Sequence, residues 1–131
     1  MVAKCFTQIE GVNYDKTFSP VVKFLSIHPI LSLVAHMDLE LFHMDVKTAF
    51  LNGDLDEDIY MQWPIDFIIH GQENKVCKLR KSIYGLKQSS RQWYIKFHNA
   101  ILSFGFQMIE EDHYVFEAIK EELCHSLLIC G

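Results

Sequence analysis

The stretch from Val21 to Met37 is the most apolar in the chain, and Lys23, His28 and Pro29 interrupt it. A bilayer span needs roughly 18 uninterrupted apolar residues, so no membrane crossing is expected. Val21, Phe24, Leu25, Leu31 and Val34 instead recur at helical spacing behind Ser19-Pro20, a pair suited to capping and opening a helix. A helix is therefore predicted near 20–37. Within it Pro29 removes an amide donor and crowds the carbonyl one turn back, at about 3 kcal/mol in a regular helix. A kink or break is expected there.

Such a helix needs a core to pack on, and the composition allows one. Half of the 131 residues are hydrophobic and 22% are charged, which fits a packed globular chain and excludes a disordered tail or a collagen-like repeat. The length suits one domain or a piece of a larger one, with two independent domains not expected. Seventeen acids against twelve bases give a net charge of −5, which opposes a surface that attracts nucleic acid everywhere but leaves room for a local basic patch. Cysteines at 5, 77, 124 and 130 form no CxxC, and the N-terminus carries no signal-peptide pattern. Reduced thiols and an intracellular setting, cytoplasmic or nuclear, are expected. The seven histidines form no HxxxH or HExxH pair, which argues against zinc, and no glycine-rich phosphate loop is present.

Residues 2–9 read as a strand, running into a loop at Gly11, Asn13 and Asp15. Leu39 to Val46 reads as a strand buried on both faces and ending at Asp45, followed by a short helical turn over Lys47 to Leu51. Asn52-Gly53 signals a turn, and Asp54, Asp56, Glu57 and Asp58 after it read as a solvated loop. Trp93, Phe97, Ile101 and Phe104 repeat at helical spacing, which predicts a helix over about 91–104, capped by Ser89 or Ser90 and ended by Gly105. Phe106–Ile109, Tyr114–Ile119 and Leu123–Cys130 read as short strands separated by acidic turns. The mixture is of the α+β class.

Two features bear on chemistry. A carboxylate at a strand end beside a tight turn, as at Asp45, suits Mg²⁺, which takes hard oxygen ligands and completes its shell with substrate phosphates. The alternative is an ordinary strand-terminal aspartate bonding the next turn. A two-metal site also requires further carboxylates, and no Asp-Asp pair occurs in the sequence. From Lys75 to Lys96, seven bases occur with no acid, and Tyr84, Trp93 and Tyr94 lie among them. That composition suits a surface tracking a phosphate backbone and stacking on bases. It equally describes a solvated basic face whose aromatics turn inward, and Trp93 fits the helical stripe better than a stacking role.

TFSPVVKF (17–24), MDVKTAFLNGDL (44–55), IYM (59–61), KVCKLRKSIYGLKQSSRQWY (75–94) and SFGF followed by a D-H-x-V-F pattern (103–116) resemble, in order and spacing, the reverse transcriptase of Ty1/copia-type retrotransposons. The similarity runs from about Val2 to Leu128. It implies a polymerase palm with partial fingers, an antiparallel sheet flanked by helices, and an RNA-directed DNA polymerase acting on an RNA or DNA template-primer and dNTPs with Mg²⁺. By resemblance, Asp45 is the first catalytic and metal-binding aspartate. Val46, Lys47, Thr48 and Ala49 lie by the triphosphate, and Phe50 abuts the sugar and excludes a 2′-hydroxyl. Tyr84, Gly85 and Lys87 belong to the block beneath the incoming nucleotide, with Gly85 allowing close backbone approach and Lys87 near phosphate. Lys78, Arg80, Lys81 and Arg91 are the candidate nucleic-acid contacts.

The sequence also departs from the family. The resemblance places a Tyr-Val-Asp-Asp block after the last apolar strand, where these residues end at Leu127-Leu128-Ile129-Cys130-Gly131. The expectation is thus a partial reverse transcriptase domain over 1–131, truncated and inactive alone, or else a noncatalytic nucleic-acid-binding remnant or a fragment without function. Cys5 stands where the family has glycine, and Gln62-Trp63-Pro64-Ile65-Asp66 departs from a Glu-Gln-Pro-Glu-Gly pattern.

Overall fold

In the computed structural model, residues 7–17, 22–72, 74–110, 112–120 and 123–128 are described. They form two α-helices and two small antiparallel sheets, an α+β arrangement: α1 (Phe24–His36), β1 (Tyr60–Gln62), β2 (Val76–Lys78), α2 (Ser89–Ser103), β3 (Gln107–Met108), β4 (Val115–Lys120) and β5 (Leu123–Leu128). The chain divides into two compact units, each discontinuous in sequence. The first holds 1–18 and 48–96, the second 19–47 and 97–131.

In the first unit β1 pairs antiparallel with β2, Met61 opposite Cys77, and the Leu79 amide extends the ladder to the Ile59 carbonyl at 2.8 Å. Ile59, Tyr14 and Leu86 are buried beside an equally buried polar set, Ser82, Gln88, Ser89 and Gln92. Those polar groups are satisfied, as burial demands. The Ser82 hydroxyl donates to Ser89 Oγ at 2.7 Å, which donates to the Ile83 carbonyl at 2.6 Å. The Gln88 amide donates to the Asn13 carbonyl and accepts from the Gln8 amide, each at 3.0 Å. The loop expected near Gly11 is present, with the Gly11 amide bonded to the Tyr14 carbonyl at 3.0 Å.

α2 begins at Ser89, two residues before the predicted start, and Ser89 lies within the helix rather than capping it, its hydroxyl bonded to Ser82 and the Ile83 carbonyl; the helix ends before Gly105, whose φ is 86° and whose amide closes on the Leu102 carbonyl. The expected stripe is only half realised: Trp93, Phe97 and Ile101 are half-buried, while Phe104 is exposed. In its first turns the buried positions are the polar Ser89 and Gln92. In the second unit β3, β4 and β5 form a meander close to the predicted strands, with Phe116 fully buried and the His98 ring edge-on to it at 5.5 Å. The Ser26 hydroxyl bonds the Asp112 carboxylate.

Three expectations are corrected. α1 begins at Phe24 after the extended Lys23, and it runs unbroken through Pro29; the carbonyl that Pro29 leaves unpaired, that of Leu25, lies on a turn exposed to solvent, where water can bond it. The predicted Ser19-Pro20 entry lies outside the described residues. Leu39–Val46 is not a strand and is exposed throughout, because no strand lies opposite it among the described residues and an unpaired strand leaves its amides and carbonyls without a ladder. Of the predicted strand over 2–9, residues 7–9 are not extended ladder and 1–6 lie outside the described residues. The turn expected at Asn52-Gly53, by contrast, is present, closed from the Gly53 amide to the Phe50 carbonyl at 3.3 Å, and the φ of Gly53, −64°, is an ordinary one.

Candidate nucleotide and nucleic-acid site

Thr48 enters the second candidate block in the left-handed region, φ 54°, an uncommon conformation for a β-branched residue. Its carbonyl accepts from the Leu51 amide at 2.9 Å and the Asn52 side-chain amide at 3.2 Å, which winds Ala49–Asn52 into a 3₁₀ turn, close to the turn predicted over Lys47–Leu51. This turn aims Phe50 at Tyr84, ring centroids 5.1 Å apart and tilted 51°. The pair is 34 residues apart in sequence, and both rings remain partly open to solvent.

Tyr84 and Gly85 occupy the centre of a tight turn closed from the Leu86 amide to the Ile83 carbonyl at 3.4 Å, and Gly85 has φ 90°. A positive φ at the third turn position calls for glycine. Lys87 follows. Its backbone amide donates to Gln8 Oε1 at 2.9 Å, and its ammonium donates to the Tyr14 hydroxyl at 3.0 Å and the Gln8 carbonyl at 3.4 Å. The ammonium also lies 4.8 Å from the Tyr14 ring centre. Of its three N–H donors, one has no partner among the described residues.

Gly53 allows the close approach of this segment to α2. A Cβ there would sit 3.0 Å from Gln92 Cβ and 3.2 Å from the Trp93 amide nitrogen. The acidic loop that follows is not merely solvated. Asp54 meets Lys96 at 3.0 Å and Lys81 at 3.7 Å, Asp58 meets Lys78 at 2.7 Å, and Asp56 accepts from the Gln92 amide at 3.0 Å. The Lys96 ammonium, by hydrogen bond and charge, holds the Asp54 carboxyl below the usual carboxylate range, and Asp58 raises the Lys78 ammonium in the same way. Of the candidate nucleic-acid contacts, Lys78 and Lys81 are thus paired, whereas Arg80, exposed, and Arg91, half-buried, make no ion pair among the described residues.

Asp45, Val46 and Lys47 belong to the second unit and are exposed. Asp45 makes no hydrogen bond or ion pair among the described residues, so the reading in which it bonds the next turn finds no support there. No group of three or more His, Cys, Asp or Glu side chains among the described residues could hold a metal ion. A single exposed carboxylate does not by itself fit a two-ion centre.

The sequence matches the family described as reverse transcriptase (RNA-dependent DNA polymerase) over residues 1–129. The chain belongs to that family. It is 55% identical over 103 residues, 79% of its length, to the retrovirus-related Pol polyprotein from transposon TNT 1-94 of Nicotiana tabacum. It is 44% identical over 106 residues, 81% of its length, to the corresponding polyprotein from transposon RE1 of Arabidopsis thaliana. The match to the Ty1-ER2 Gag-Pol polyprotein of Saccharomyces cerevisiae is 30% over 88 residues, 63% of the chain. These stretches cover 8%, 7% and 5% of the relatives' own lengths. No solved structure matches. The reverse transcriptase relationship, to Pol polyproteins of copia-type transposons, is as the blocks of residues implied. No helix among the described residues is long and apolar enough to cross a membrane.

Sequence reasoning did not find the partners of Lys87. Gln8 and Tyr14 lie more than seventy residues away and carry no motif. The acidic loop did carry a signal, since the acid-free run from Lys75 to Lys96 needed counter-charges somewhere.

Proposed function

We propose that these residues are the nucleotide- and template-facing part of an RNA-directed DNA polymerase of the palm-and-fingers kind, whose full reaction is two-Mg²⁺ nucleotidyl transfer, and that alone they do not synthesise DNA. The observation that carries the reading is the contact between Phe50 and Tyr84. Two aromatic side chains that the family resemblance places by the sugar and beneath the incoming nucleotide, 34 residues apart in sequence, meet in one unit, beside the Gly85 turn. Phe50 acts as a steric filter against a 2′-hydroxyl. Tyr84 supports it, Gly85 lets backbone approach, and the remaining N–H of Lys87 is available to a phosphate oxygen. The backbone of Val46 to Ala49 serves the triphosphate, and Arg80 and Arg91 face the template-primer. Asp45 supplies one metal carboxylate. One carboxylate cannot hold two divalent ions against their repulsion, which is why the 131 residues alone are inactive.

Primer extension with the purified chain and calorimetric titration with dATP and ATP, both with Mg²⁺, test this. No extension above background is expected, and dATP should bind in preference to ATP, with Phe50→Ala narrowing that preference roughly tenfold. Incorporation that disappears in Asp45→Asn overturns the claim of inactivity. Absence of deoxynucleotide binding overturns the nucleotide site.

A further inference from the structure

Among the described residues, every lysine of the basic run that forms an ion pair with an acid does so within one short loop. Asp54 holds Lys81 and Lys96 together, and Asp58 holds Lys78. All five side chains are solvent-exposed, between 42% and 66%. Exposed pairs are weak and exchangeable, and phosphate oxygens compete for the same ammonium groups. The loop itself is anchored, because the Ser82 amide donates to the Gly53 carbonyl at 3.0 Å and the side-chain amide of the buried Gln92 donates to Asp56 at 3.0 Å. The carboxylates are therefore held in place over the lysines rather than meeting them by chance.

We propose that the acidic loop 54–58 is an intramolecular competitor of single-stranded nucleic acid for Lys78, Lys81 and Lys96, with Asp54 as its control point because it occupies two of the three. A lysine shared with its aspartate contributes less to polyanion binding than a free one, so the first unit binds with a weaker salt dependence than its bases alone dictate. The inference rests on the reading of residues 75–96 as a nucleic-acid face.

Fluorescence anisotropy of a labelled single-stranded oligonucleotide with the 131-residue chain, repeated across salt concentrations, tests it. Asp54→Asn is expected to tighten binding at low salt by up to about fivefold per lysine freed. It should also steepen the slope of log affinity against log salt by about 0.7 for each freed lysine. Asp58→Asn should give the smaller, single-lysine effect, and it keeps the test decisive if the first variant does not fold. Asp66→Asn removes the same charge from an exposed site outside the loop and should leave the slope unchanged. Equal effects from Asp54→Asn and Asp66→Asn overturn the proposal, since net charge would then explain both. Binding that is the same in wild type and Asp54→Asn overturns the proposal while sparing the nucleic-acid face. Absence of binding in every variant overturns both.

Discussion

At Gly53 the requirement is steric. A methyl group there would press on Gln92 Cβ and on the backbone of the first turns of α2, which cannot move aside as a flexible side-chain tip can. Gly53→Ala should therefore destabilise the protein by about 1–3 kcal/mol, read from urea unfolding midpoints at constant slope. Asp54 makes a pH-dependent contribution. Its folded pKa lies below the unfolded one, through the bond and charge of Lys96, so its stabilising effect is complete above the unfolded value and is lost as pH falls through the folded value. A carboxyl NMR titration should show the Asp54 midpoint moving upward in Lys96→Gln. An unmoved midpoint would mean that the pair does not form in solution.

Among the elements, the segment Ser82–Gln92 is held by polar rather than apolar burial, and Gln88 is its central tie. Truncating it in Gln88→Ala leaves the Gln8 amide and the Asn13 carbonyl without the partner that now satisfies them. A loss of about 1–3 kcal/mol is expected in thermal or denaturant unfolding, with Gln88→Glu no substitute because it cannot donate to the Asn13 carbonyl when ionised. α1 makes the opposite point: helical spacing was enough to predict it, and even an interior proline did not divide it. The strands of β3–β5 were likewise visible as short runs between acidic turns, while their pairing, with Phe116 opposite Leu127, was supplied by the ladder. β1 and β2 were not foreseen as strands; three residues each are too short for a period to register.

For the whole molecule, the contrast between Leu39–Val46 and the sheets sets an experiment. Amides in α2 and in β4 should be protected from hydrogen exchange, whereas 41–46 should exchange at nearly unprotected rates, since no ladder covers them among the described residues. Protection there would show that the segment pairs as a strand after all. Leu41, Phe42 and Met44 are 64%, 75% and 74% exposed, so the alternation that predicted a doubly buried strand describes a propensity without a partner. What the residues determined unaided were local and serial properties: the two helices, the three strands after residue 105, the turn at Asn52-Gly53, and the five ordered blocks that carry the family. Tertiary structure alone decided which distant groups meet. It set Phe50 on Tyr84, Lys87 on Tyr14, and the acids of 54–58 on the lysines of 78–96. Helix and strand periods arise from backbone geometry within a few residues, whereas a side chain's partner across the fold depends on how the chain returns to itself, which no local pattern encodes.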